Sequence, residues 1–217
     1  MRMINMMIFS VLFSSFTTCG SRDQSPGKAA ADSVPKIDLH SAIVTDDLDL
    51  IRQHIQAGSD LNVLEPSRAS TPLITAAALG RAEAAKILID AGADLNYQNA
   101  DGSTALHTAV VFGRNEIARL LIDAGIDLNV QNNDGATALH TAAFFGKKEI
   151  VEALLEKGAD KTLKNQGGKT AYETVAGPFE EVRPVYDALS AALKPLGIKL
   201  DYDSIRAARP EIAAMLK

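Results

Sequence analysis

Thr71-Pro-Leu-Ile-Thr-Ala-Ala-Ala-Leu-Gly80 returns as Thr104-Ala-Leu-His-Thr-Ala-Val-Val-Phe-Gly113 and again as Thr137-Ala-Leu-His-Thr-Ala-Ala-Phe-Phe-Gly146. The spacing is 33 residues each time. A shortened copy begins Thr170-Ala-Tyr-Glu-Thr174, and a first copy begins at Ile37-Asp-Leu-His-Ser-Ala42, offset by 34, with the extra residue between Asn62 and Thr71. A second block recurs in step: Ile55-Gln-Ala-Gly-Ser-Asp-Leu-Asn62, Ile89-Asp-Ala-Gly-Ala-Asp-Leu-Asn96, Ile122-Asp-Ala-Gly-Ile-Asp-Leu-Asn129 and Leu155-Glu-Lys-Gly-Ala-Asp160. A fixed period of this length is the signature of a stacked architecture.

The residue types assign each segment. Threonine at the repeat start caps a helix with its hydroxyl, and Pro72 stands at the first helical position, where no backbone donor is lost. Leu106, Ala109 and Val110 share one face of a short helix. Ala76, Ala109 and Ala142 let neighbouring helices approach closely. Gly80, Gly113 and Gly146 end the first helix. The second helix carries Ile117, Leu120 and Leu121, or Ile150 and Leu154, and closes at Gly92, Gly125 or Gly158. Asp101-Gly102 and Asp134-Gly135 mark turns in a projecting finger.

These phased blocks resemble ankyrin repeats. The resemblance covers 37–177 and implies an all-α solenoid of helix pairs with β-turn fingers, the repeats being 37–70, 71–103, 104–136 and 137–169, with 170–177 the start of a degenerate fifth. It also implies a non-enzymatic scaffold that binds a protein partner on its concave face.

A single repeat cannot bury its apolar side, so the ends need polar or covered surfaces. Asp46, Asp47, Asp49, Arg52, Gln53 and His54 supply a polar first copy, with His54 expected on the surface or as a cap. After Gly177, Pro178 and Pro184 interrupt the second-helix pattern. Val185, Leu189 and Leu193 make one apolar stripe. Ile205, Ala208, Ile212 and Leu216 make another, with Pro210 opening a new turn of helix. Residues 178–217 therefore read as a helical C-terminal cap, with a separate partner-binding helix as the alternative.

The chain starts Met1-Arg-Met-Ile-Asn-Met-Met-Ile-Phe-Ser10, runs apolar to Phe16, and carries its one cysteine at Cys19. A positive start and an apolar stretch shorter than the ~20 residues that span a bilayer have the layout of an export signal. A cysteine directly after such a stretch resembles a bacterial lipoprotein signal, although Phe16 and Thr18 depart from the usual leucine and small residue before the cysteine. That resemblance implies a signal at 1–19, lipid on Cys19, a tether at 20–36, and residence in the periplasm or cell envelope. Plain export and an uncleaved anchor are the alternatives.

The 217 residues carry a net charge of −5, with 47% hydrophobic and 5% aromatic residues and no tryptophan. No basic surplus is available for a phosphate backbone, so nucleic acid is not expected as a partner. A lone cysteine permits no internal disulfide and no cysteine-based metal cluster. His40, His107 and His140 fall in one column of the repeat, on helices about 10 Å apart, too far to converge on one ion. The resemblance makes this histidine a brace for the neighbouring loop. Asp60, Asp94, Asp127 and Asp160 also recur in step, which favours structure over catalysis. Gly167-Gly-Lys-Thr170 echoes the end of a phosphate-binding loop, but the upstream glycine is missing and the segment is in phase with the fingers. No catalytic residue, cofactor or metal is expected, and the chain is expected as a monomer.

The positions that vary within a constant scaffold are the candidates for contact. They are Ala78 and Leu79, Val111 and Phe112, and Phe144 and Phe145 at the ends of the first helices. Arg68, Ser70, Asp101, Ser103, Asn133, Asp134, Ala136, Gln166 and Lys169 are the finger tips. The protein-binding expectation centres on Leu79, Val111, Phe112, Phe144 and Phe145, with Asp101, Asn133 and Asp134 at the rim. The competing expectation is that these apolar side chains fill gaps between repeats. An inhibitory or immunity-type cap for another exported protein is the second functional reading, and an accessory to an enzyme the third.

Overall fold

The computed structural model describes residues 34–194 and 199–217. Its order is α1 (Leu39–Thr45), α2 (Leu48–Gln56), α3 (Pro72–Leu79), α4 (Ala82–Asp90), α5 (Ala105–Val111), α6 (Asn115–Asp123), α7 (Ala138–Phe144), α8 (Lys148–Glu156), α9 (Ala171–Val175), α10 (Phe179–Leu193) and α11 (Tyr202–Leu216). Among the described residues there is no strand. The fold is an all-helical solenoid: α1, α3, α5, α7 and α9 form an inner row, and α2, α4, α6 and α8 an outer row, each helix packing on its equivalent in the next repeat.

Alanine sets the inner spacing. Ala42, Ala76, Ala109 and Ala142 are fully buried, and a methyl side chain lets successive helices approach closely along the row. The outer helices contribute Ile51, Leu88, Leu121 and Leu154, and one continuous core runs the length of the stack. Thr71 and Thr137 cap their helices through Oγ1, and the glycines between inner and outer helices take left-handed backbone. In the first repeat Asp46 fills that place.

His40, His107 and His140 act as the braces expected of them. Nε2 of each lies 2.9–3.0 Å from a carbonyl of the following finger: Val63, Ala136 and Lys169. The aspartate column is equally local. Asp60, Asp94, Asp127 and Asp160 each accept from the backbone N–H two residues on.

His54 departs from expectation. It is buried, with Nε2 2.7 Å from the Ile37 carbonyl and Nδ1 3.0 Å from Ser59 Oγ. It stands in the column of Leu88, Leu121 and Leu154, which faces the core in every repeat. A ring there is tolerated because both its nitrogens find partners.

The largest departure is at the C-terminal end. The interior outer helices read Glu116-Ile-Ala-Arg-Leu-Leu121 and Glu149-Ile-Val-Glu-Ala-Leu154, and α11 ends Glu211-Ile-Ala-Ala-Met-Leu216. Ile212 and Leu216 are buried like Ile150 and Leu154, and α11 packs on α9 and α8. The fifth repeat is thus completed by α11, and α10 is an insertion between its two halves. Glu149 follows Thr137 by twelve residues, whereas Glu211 follows Thr170 by 41. Pro184 and Pro210 lie inside helices rather than at their starts. Each forgoes one backbone hydrogen bond, and neither ends its helix.

Candidate functional site: the inner face and its fingers

The inner helices all end on one side of the stack, which places Val44, Ala78, Val111 and Phe144 in one row and Thr45, Leu79, Phe112 and Phe145 in the next. Exposure falls along these rows. Val44 is 54% exposed and Leu79 43%, Val111, Phe112 and Phe144 are half-buried, and Phe145 is 6% exposed.

The cause is α10. Phe145 packs with Leu189 and Leu193, and Val111, Phe144 and Leu200 close around them. The Phe144 ring stacks on Tyr186 with centroids 4.4 Å apart, and Tyr186 stacks in turn on Phe179 at 5.3 Å. Tyr186 is fully buried, and its hydroxyl donates to the Phe144 carbonyl at 2.6 Å. The sequence stripe Val185–Leu189–Leu193 is therefore anchored one residue on, at Tyr186. Only a tyrosine there adds a hydrogen bond to a helix-end carbonyl that lacks a partner within its own helix.

The apolar strip expected to be open is thus closed at its Phe145 end by the chain itself. Phe145 is core in this structure, Phe144 and Val111 are its border, and Leu79 and Phe112 lie on the accessible part.

Arg209 sits beneath this cover. It is 3% exposed. Its guanidinium donates to the carbonyls of Gly177 at 3.0 Å and Thr174 at 3.4 Å, and to Tyr186 Oη at 3.4 Å. All three acceptors are neutral. Burial raises the Tyr186 hydroxyl above its usual range, and Arg209 opposes that shift. Arg209 occupies the column of Arg81, Arg114 and Lys147. There Arg81 donates to the Val44 carbonyl and Arg114 to the Ala78 carbonyl. In each case a cation meets the carbonyl end of an inner helix, the end that favours positive charge.

The fingers form a second continuous feature. Within a finger, Asn99 Oδ1 accepts from the N–H groups of Asp101 and Ser103, and Asn132 Oδ1 from those of Asp134 and Ala136. Between fingers, a backbone ladder runs from Ala100 N–H to the Arg68 carbonyl, from Asn133 N–H to Asp101, and from Gln166 N–H to Asp134.

All three expected rim residues join this ladder through their backbones, and two of them also use their side chains between fingers. Asp101 pairs with Arg68. Asn133 gives its amide to the Ala100 carbonyl at 2.9 Å. Asp134 alone has no ion-pair partner among the described residues, and burial together with the neighbouring Asp101 raises its carboxyl above the usual range.

Sequence reasoning missed Val44, Tyr186 and Arg209. The repeat of Glu-Ile-Ala-x-x-Leu at Glu211 would have placed α11 in the outer row, and with it Arg209. Cys19 lies outside the described residues. Among those described, no cluster of His, Cys, Asp and Glu could hold a metal ion, and no helix is long and apolar enough to cross a membrane.

A family model described as ankyrin repeats in three copies matches residues 39–132, and one described as ankyrin repeats in many copies matches residues 121–175. No curated protein matches the chain.

Proposed function

We propose that this chain, which belongs to the ankyrin-repeat family, is an exported, lipid-anchored scaffold that holds a protein partner on its inner face. Ankyrin repeats serve as protein–protein interaction modules and are typically non-enzymatic. The reading of a binding face rests on one observation: Val44 and Leu79, on successive inner helices, keep large apolar side chains in solvent. Isolated exposed apolar residues are ordinary, but Val44 and Leu79 at neighbouring helix ends, continued by half-buried Val111 and Phe112 and with polar finger tips as a rim, have the make-up of an interface. The partner contacts Leu79, Val111 and Phe112, with Asp134 at the edge. Attachment is through lipid on Cys19, which keeps the repeats in the cell envelope.

The test is capture of the partner from envelope extracts, followed by affinity measurement with Leu79→Glu and Phe112→Ala. Each should weaken binding about tenfold or more with an unchanged melting curve. Full affinity in both would move the interface elsewhere. For anchoring, Cys19→Ser should release the protein from the membrane fraction. Equal size and solubility of both forms would leave plain export.

A further inference from the structure

We propose that α10 is a resident occupant of the binding face, and that the partner is an amphipathic helix which displaces it. This rests on the reading that the inner face binds protein. Four observations carry it. First, α11 and not α10 takes the fifth outer position, burying Ile212 and Leu216 against the stack. Second, among the described residues no helix packs on α10 backbone to backbone as closely as the repeat helices pack on one another. It is held through side chains: Phe179, Tyr186, Leu189 and Leu193 in apolar contact, and the exposed Glu180–Arg206 ion pair at 2.8 Å. Third, α10 lies on the strip formed by Val111, Phe144 and Phe145, which continues to half-buried Phe112 and exposed Leu79. Fourth, α10 lies over a buried guanidinium, Arg209, which meets the Tyr186 hydroxyl and two backbone carbonyls, all neutral acceptors.

The seated helix defines the chemistry of its competitor. Tyr186, Leu189 and Leu193 follow the i, i+3, i+7 spacing with which one helix face fills an apolar groove. A partner helix with an aromatic and two aliphatic residues at that spacing fills the same contacts. A carboxylate beside the aromatic residue would meet Arg209 where the Tyr186 hydroxyl now sits, and a charge-assisted bond there is stronger than the neutral one it replaces. Because α10 is tethered at both ends, it competes at an effective concentration in the millimolar range. The resting chain therefore admits only a partner that outcompetes it.

The probe is a fluorescent peptide of residues 178–194, titrated against the full chain and against Leu189→Glu/Leu193→Glu. The variant should bind at least about tenfold more tightly than wild type, and a peptide with the same two changes should bind neither. Equal affinity of wild type and variant for the unmodified peptide, or no binding to either, overturns the proposal. Hydrogen exchange on the wild type decides the matter even if the variant misfolds. The α10 amides should exchange about 100-fold faster than those of α7 and α11, and as one group. Protection equal to that of α11 would make α10 a structural cap and overturn the proposal. If α10 opens and the peptide docks while capture of the natural partner is unchanged in the opened variant, the occupant stands, and the placement of the partner on this face falls.

Discussion

The fourth and fifth repeats begin alike and end differently. In the fourth, α7 turns directly into α8 through Phe145, Gly146 and Lys147. In the fifth, α9 is cut to five residues, and the chain crosses the inner face as α10 before returning as α11. Yet α11 arrives in the place that α8 would predict, with the same glutamate, isoleucine and leucine in register. A solenoid position is thus defined by the faces a helix buries, not by its distance along the chain. Loop entropy grows slowly with length, so a long excursion between two halves of a repeat is tolerated when both halves pack. The cation column makes the same point, since Arg209 reaches the Gly177 carbonyl just past α9, 32 residues back, while Arg114 reaches the Ala78 carbonyl of the preceding repeat.

The strongest way to break this equivalence is to empty it. Ile150 and Ile212 are both fully buried, so Ile150→Ala and Ile212→Ala should each cost about 3–4 kcal/mol in urea denaturation. If α11 were an appendage, Ile212→Ala would leave the midpoint where it is.

A second difference separates the repeats by pH. The third residue of the inner helix is His107 or His140 in the interior and Glu173 in the fifth repeat. Burial lowers His107 to about 4 and lowers His140 as well. Nδ1 of each must also stay unprotonated to accept from its threonine N–H. The folded-state value lies below the unfolded value of about 6.5. The contribution of His107 is therefore complete above that pH, and up to about 3 kcal/mol is lost as pH falls toward 4. Glu173 goes the same way but lower: its carboxyl is held below the usual range by the Thr170 N–H, so its contribution survives until more acidic pH. Between pH 7 and 5, amide protection factors, which remove the intrinsic slowing of exchange in acid, should therefore fall in α5 and α7 and hold steady in α9. His107→Gln should flatten the profile. A uniform loss would show that the brace is not what titrates.

Position in the ladder sharpens the comparison further. Gly135 and Gly168 share the same left-handed backbone, φ +70° and +71°. An added Cβ at Gly135 would stand 2.7 Å from Gln166 N, whereas at Gly168 nothing lies within 4 Å. Gly135→Ala should cost about 2 kcal/mol more than Gly168→Ala, because both carry the backbone strain and only one breaks the contact with the next finger. Equal thermal shifts would mean that the ladder gives way freely.

The smallest effect belongs to the finger carboxylates. Asp134 has a raised folded-state value, so its charged form works against the fold, and that penalty grows as pH rises through it. Asp134→Asn should leave stability at pH 7 unchanged or raise it by a few tenths of a kcal/mol. Asp101→Asn should lower it by about as much, since Arg68 loses its partner. A clear loss in Asp134→Asn would reveal a partner for that carboxylate.

The sequence by itself determined the helix pairs, their 33-residue phase, the histidine braces and the structural aspartates. Each of these depends on contacts within a repeat or with its immediate neighbour, and such contacts recur with the period. Cap residues, left-handed glycines and small alanines report local geometry that no distant segment alters. The state of the inner face was decided only in three dimensions. Leu79, Phe112 and Phe145 occupy equivalent positions in their repeats, yet Leu79 is open and Phe145 is covered, because α10 folds back over one and not the other. Whether an apolar side chain at the end of a helix is surface or core depends on what reaches it through space. For Phe145 that is Leu189 and Leu193, more than forty residues further along the chain and outside the period that made the rest legible.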